Sequence, residues 1–168
     1  MLRLVRNRTI LVKTEINSIM YNILTEQLKH YTVLWRETSA LYEEWAKKRG
    51  LSYYELLVIL SIMEPDGPCL QKDICTHWQL PKQTVNTILK NFAGRAWITL
   101  VPSEEDRRGK VILLTDAGRL FVEATTSDLQ AHERSVWQKM GQENARALLE
   151  STALYNKLFK ETDSNETA

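Results

Sequence analysis

The chain has 168 residues, 43% hydrophobic and 26% charged, with a formal net charge of +1. That is the size and balance of one soluble globular domain, not of a disordered or membrane-embedded chain. Two cysteines, Cys69 and Cys75, are too few for a disulfide framework. The longest apolar run near the N-terminus, Ile10, Leu11 and Val12, is too short for a secretion signal or a membrane span, so the expected location is the cytoplasm.

In chain order, residues 1–19 read as a basic N-terminal extension, with Met20 as an alternative start. Residues 16–48 predict a long helix. Ile16, Ile19, Ile23, Leu24, Leu28, Tyr31, Leu34, Trp35, Leu41, Tyr42 and Trp45 recur mostly at three- and four-residue spacing, and Gly50 is the stop. Ser52 and Glu55 form a capping box for a helix carrying Leu56, Leu57, Ile59, Leu60 and Met63, closed by a loop at residues 65–68. Residues 69–78 read as a short helix with Leu70, Ile74, Cys75 and Trp78 inward, and Gln79 and Leu80 as a tight connection.

Pro81 suits the first turn of the next helix. Val85, Ile88, Leu89 and Phe92 keep a helical period, while Gln83, Asn86, Thr87 and Lys90 form an opposite stripe without an acid. The pattern then switches to a period of two, with Ile98 and Leu100 on one run and Val111 and Leu113 on the next. The polar residues 102–109 between them predict a hairpin tip. Thr115 is a natural N-cap, and Asp116 complements the dipole of a helix reaching about Met140. Gly141 punctuates it. Residues 143–159 predict a last amphipathic helix with Ala145, Leu148, Leu149, Leu154, Leu158 and Phe159, before a polar tail at 161–168.

Two short helices, a tight turn, an exposed polar second helix and a basic-tipped hairpin suit duplex DNA. The helix enters the major groove and the hairpin reaches the backbone or minor groove. Residues 81–110 hold six Lys/Arg against three Asp/Glu, a basic middle for a near-neutral chain. Gln83 and Asn86 can pair with adenine, and Lys90 with guanine or phosphate; Thr87 shares their stripe. Lys82 and Thr84 at the helix start, with Arg95 and Lys110, suit phosphates. The terminal helices carry more apolar stripe than this lobe can cover, so a second copy of the chain is the expected partner, reading a pseudo-palindromic site.

The chain resembles the MarR-type winged helix-turn-helix regulators. The resemblance is carried in order by Gln71, Lys72, Asp73, Ile74 and Cys75; by residues 80–86; by Asp106, Arg107 and Arg108; and by Leu114, Thr115, Asp116, Ala117 and Gly118. It implies a mainly α fold with a small β-hairpin wing and N- and C-terminal dimerisation helices. A MarR-like domain then covers 20–160, its DNA-binding lobe 51–115 and its dimerisation helices 20–49 and 116–160. It also implies a homodimer with interleaved end helices, and a repressor released by a small aromatic or lipophilic effector. Arg108 enters the minor groove with Asp106 holding it, beside Arg107. Trp35, Arg36, Tyr53 and Tyr54 lie where relatives bind effectors, although core packing also explains those aromatics. Relatives have Gly before the first wing strand where this chain has Ala96, which leaves the cap open.

Other chemistries find less support. His30, His77 and His132 are scattered, without metal-ligand spacing, and Cys75 reads as a small core residue more readily than as an oxidant sensor. No catalytic constellation, cofactor or metal is expected. The alternative is a winged-helix module that binds protein without reading DNA sequence. The sequence does not specify the effector or the operator.

Overall fold

A computed structural model describes residues 2–63, 69–103 and 109–166, with side chains described between 17 and 162. The elements run α1 (Leu2–Lys47), α2 (Tyr53–Met63), β1 (Cys69–Leu70), α3 (Gln71–His77), α4 (Lys82–Gly94), β2 (Ile98–Pro102), β3 (Lys110–Leu114) and α5 (Asp116–Glu166). This is the expected mainly α winged-helix arrangement. The chain divides into two compact units, Met1–Leu56 and Leu57–Ala168.

In the first unit, α1 starts at Leu2, well before the expected residue 16. Its 46 residues extend about 70 Å at 1.5 Å each. Gly50 stops it in a left-handed conformation (φ 72°), with Leu51 N–H donating to Ala46 O and Gly50 N–H to Lys47 O. The capping box of α2 forms as the sequence predicts. Glu55 N–H donates to Ser52 Oγ at 3.2 Å, and Ser52 N–H to Glu55 Oε2 at 2.8 Å. Trp45, Ala46, Leu51 and Leu56 are buried.

The second unit has its core in Val58, Ile59, Ile74, Val85, Leu89, Phe92, Ile98, Ile112 and Val122. The sheet has three antiparallel strands in the order β1-β3-β2. Residues 69 and 70, expected at the start of a helix, instead pair with Ile112 and Val111. A strand of two residues leaves no periodicity to read. The second wing run also shows the limit of an unbroken apolar series. Ile112, opposite Leu100, is the inward residue, whereas Leu113, opposite Thr99, is 43% exposed.

Both turns of the helix-turn-helix use a left-handed residue other than glycine. After α3, Gln79 (φ 52°) lets Leu80 N–H reach Cys75 O at 3.0 Å, and its own Nε2 donates to Thr76 O at 2.7 Å. After α4, Ala96 takes φ 54°. Its N–H donates to Ala93 O and the Trp97 N–H to Phe92 O, and the Phe92 and Trp97 rings meet at 5.3 Å. These are the two hydrogen bonds and the apolar contact of a Schellman cap, so Ala96 does the work of the glycine usual there in relatives.

Helix α5 starts against that cap. Thr115 N–H donates to Trp97 O at 3.0 Å, Thr115 Oγ1 donates to Ala96 O at 2.7 Å, and Gly118 N–H donates back to Thr115 Oγ1. A Cβ on Gly118 would lie 1.8 Å from Trp97 O, so only glycine lets the helix approach so closely. Farther along, Gly141 (φ 78°, ψ 159°) breaks α5 into two helical stretches, where the sequence places its punctuation.

Two substitutions test this seam from opposite sides. Ala96→Gly relieves the left-handed strain and is expected to raise stability by about 0.5–1 kcal/mol. Gly118→Ala is expected to lower it by about 2–3 kcal/mol, because the neighbouring atoms are backbone. Urea unfolding midpoints at an unchanged slope measure both.

Candidate nucleic-acid interface

The sequence of α4 sorts its two faces. Val85, Ile88, Leu89 and Phe92 are buried, and Gln83, Thr87 and Lys90 on the other side are exposed, with Asn86 half-buried between them. From Gln83 to Lys90 the stripe is about 10 Å long at 1.5 Å per residue. Thr87 Oγ1 donates to Gln83 O at 3.0 Å, so its proton is used and its lone pairs remain as acceptors.

The start of α4 is built to leave donors outward. Pro81 is the N-cap, one position earlier than the sequence places it, and no side chain caps the helix. Val85 N–H makes the first intrahelical bond, to Pro81 O. The amides of Lys82, Gln83 and Thr84 therefore face the helix entrance with its partial positive charge. Lys82 is exposed and Thr84 half-buried at that end. With no acid on the helix, the whole outer face suits an anion.

Helix α3 holds α4 from behind. Its Ile74 is fully buried, and Asp73 caps it by accepting from Leu70 N–H at 3.3 Å. Trp78 Nε1 donates to Ser61 Oγ at 2.7 Å, and Ser61 Oγ donates to Leu57 O at 3.0 Å, which fastens the end of α3 to α2. The polar stripe is thus carried on a helix backed by α3, whose end is tied to Ser61.

The wing strands bring Lys110, exposed, opposite Pro102, and Ser103 N–H donates to Gly109 O at 3.0 Å across the loop base. Asp106, Arg107 and Arg108 lie outside the described residues. Arg95 stands with its guanidinium 4.8 Å from the Trp97 ring centroid at the wing entrance.

The residues expected around an effector are less concentrated. Trp35 and Arg36 are exposed on α1, and Tyr53 and Tyr54 stand with ring centroids 6.1 Å apart at the start of α2. Among the described residues no hydrogen bond, ion pair or ring contact joins the first pair to the second. Nor do any three of the described His, Cys, Asp and Glu side chains gather as metal ligands. No helix among the described residues is long and apolar enough to cross a membrane.

Sequence reasoning passed over Trp97 and Phe121. Their rings stack at 3.9 Å and 16°, joining the wing entrance to α5. They are 24 positions apart, a separation that no local period marks. The Thr115 and Gly118 motif beside them was the available signal.

Comparison with known proteins bears on this surface. Residues 50–109, spanning the helix-turn-helix and the strands up to the wing loop, match the model of the MarR family. A MarR family regulator from Neisseria meningitidis is similar at 25% identity, covering 83% of this chain and 98% of that one, with a TM-score of 0.70. MarR of Staphylococcus aureus, solved with salicylate and kanamycin, is similar at 21% identity, 83% and 93% coverage and a TM-score of 0.66. MepR of Staphylococcus aureus, solved in a DNA complex, is similar at 20% identity, 79% and 94% coverage and a TM-score of 0.60. No curated protein matches the sequence.

The two thiols differ. Cys75 is half-buried on α3, whereas Cys69 is buried in β1, and burial followed by the nearby Asp73 carboxylate pushes its pKa from 9.0 to about 11. At neutral pH Cys69 is therefore a protonated, poorly nucleophilic thiol. The folded chain keeps a proton that the unfolded chain releases, so this group's contribution to stability falls as pH rises from about 9 to about 11. Iodoacetamide labelling of the native protein, read by mass spectrometry, is expected to spare Cys69 below that window and to modify it once urea is added.

Proposed function

Because residues 50–109 match the model of the MarR family, we propose that this chain is a MarR-type, dimeric, sequence-specific regulator of transcription on double-stranded DNA, a repressor that a small molecule releases. The single observation that carries the reading is the outer face of α4, acid-free, exposed and about 10 Å long. That length fits a major groove about 12 Å wide. Gln83 and Asn86 take adenine edges, Lys90 takes guanine or phosphate, and Thr87 accepts beside them. Lys82, Thr84 and the open amides at the helix start hold phosphate. Arg108 enters the minor groove with Asp106 holding it, and Arg107 and Lys110 add backbone contacts. A MarR-fold relative, MepR, has been solved on DNA, which supports this assignment.

A second copy follows from α1 and α5. Among the described residues, eleven large apolar side chains on α1 and nine on α5 stand exposed, with Trp35 at 63% and Phe159 at 64%. At roughly half of a large side chain's area each, they amount to on the order of 1,500 Å² per chain, the scale of obligate interfaces and not of transient ones. On α1, at 100° per residue, Ile19, Leu34 and Leu41 lie on one side and Leu24, Leu28 and Trp35 on another. One flat neighbour cannot cover both sides, so the end helices of two copies interleave. Trp35, Arg36, Tyr53 and Tyr54 are assigned to effector capture. Salicylate bound to MarR of Staphylococcus aureus supports an aromatic acid as the first candidate. The effector acts by favouring a dimer whose recognition helices no longer match the half-sites.

Mobility shift and footprinting on the DNA upstream of the gene, against a scrambled duplex, test the reading. The native duplex is expected to bind with an inverted-repeat footprint, and equal binding to both duplexes would leave a protein-interaction module instead. Asn86→Ala and Arg108→Ala are each expected to weaken operator binding by about 5- to 150-fold. Lys82→Ala is expected to weaken all duplexes alike and reduce the salt slope by about 0.9. Sedimentation is expected to give twice the 19.5 kDa chain mass, with an unfolding midpoint that rises with protein concentration.

A further inference from the structure

Three aromatic rings run from the recognition helix into α5. Phe92, in the last turn of α4, meets Trp97 at 5.3 Å, and Trp97 stacks on Phe121 at 3.9 Å and 16°. The backbone between them has little slack. Arg95, Ala96 and Trp97 each donate an N–H back to α4, to Asn91, Ala93 and Phe92. The Trp97 carbonyl then accepts from Thr115 N–H at 3.0 Å, takes the longer, 3.2 Å arm of the hydroxyl bond that Thr115 Oγ1 gives to Ala96 O at 2.7 Å, and fills the place a Gly118 side chain would need. Beyond Phe121, α5 is anchored by buried Val122, Thr125, Thr126 and Leu129, and it then exposes Val136 and Trp137. This route from α4 to α5 does not pass through the wing loop.

We propose that Trp97 is a positioning residue: stacked on Phe121, it fixes the angle between α4 and α5, so that pairing of two α5 helices sets the half-site spacing the dimer accepts. The inference rests on the reading of the protein as a DNA-binding dimer. The lever explains why one ring matters. Gln83 lies nine residues from Phe92, about 13 Å along the helix. A tilt of ~15° at the cap therefore moves the reading end by about 3.5 Å, which is one base-pair step. The backbone bonds limit that tilt, and the stacked pair adds a specific geometry to them that an aliphatic side chain at either position gives up.

The test uses the full chain and the footprinted operator, with its half-sites moved apart or together by one and two base pairs. The wild-type protein is expected to lose at least about tenfold in affinity per step. Trp97→Leu and Phe121→Leu are expected to flatten that profile to within about threefold while binding an isolated half-site as the wild type does. Trp97→Phe and Phe121→Tyr, which keep the stack, are expected to restore the sharp profile, an effect that mere loss of stability does not produce. If melting shows a leucine variant unfolded, Phe121→Met gives the same readout. Leucine or methionine variants as spacing-selective as the wild type would overturn the proposal, and so would a wild-type protein indifferent to spacing. Wild-type binding indifferent to sequence as well would overturn the regulator reading with it.

Discussion

The carbonyl of Trp97 is the point on which the helix-turn-helix lobe closes. It receives the Thr115 amide and shares the Thr115 hydroxyl with the nearer Ala96 carbonyl, and it lies so near Gly118 that no other residue fits there. The end of α4, the start of β2 and the start of α5 are joined at one peptide. Each of those elements is short or strongly exposed on one side and would be marginal alone. Joined there, they form a support stiff enough to carry a polar helix face with no partner of its own.

That stiffness is obtained with some backbone strain. Gln79 and Ala96 both hold left-handed conformations without being glycine, at the two turns that set the pose of α4. Such residues cost about 1–2 kcal/mol each and persist where neighbours over-determine them. Here the neighbours are the Gln79 side-chain bond to Thr76 O and the packing of Phe92 on Trp97. The unblocked start of α4 also forgoes a side-chain cap. The left-handed turns flank the surface assigned to DNA and the uncapped helix start lies on it, where a lobe optimised for stability alone would carry glycines and an Asp or Ser cap.

Much of this was legible in the sequence because it is periodic or local. Val85, Ile88, Leu89 and Phe92 announced their own burial, and with it the outward stripe. Ser52 with Glu55, Gly50, Thr115 and Gly141 each marked a helix boundary through chemistry confined to a few residues. What the sequence hid was non-local or without alternation. Cys69 and Leu70 form a strand only because β3 is there to pair with them. The apolar run before Thr115 fits either parity, and the expected face of Val111 with Leu113 is the wrong one: Ile112 turns inward and Leu113 outward, which only the register decides. Trp97 and Phe121 meet across the whole wing. The Ala96 cap was a visible departure, and its resolution lay in a positive φ that alanine rarely adopts.

In the proposed complex, two copies of one acid-free helix face read a duplex in two-fold register. Selection from a pool of random duplexes by the full-length protein measures that symmetry directly. The expected product is an enriched inverted repeat whose half-sites are centred about one helical turn, roughly 10 base pairs, apart. An unenriched pool, or a single asymmetric motif, would contradict it.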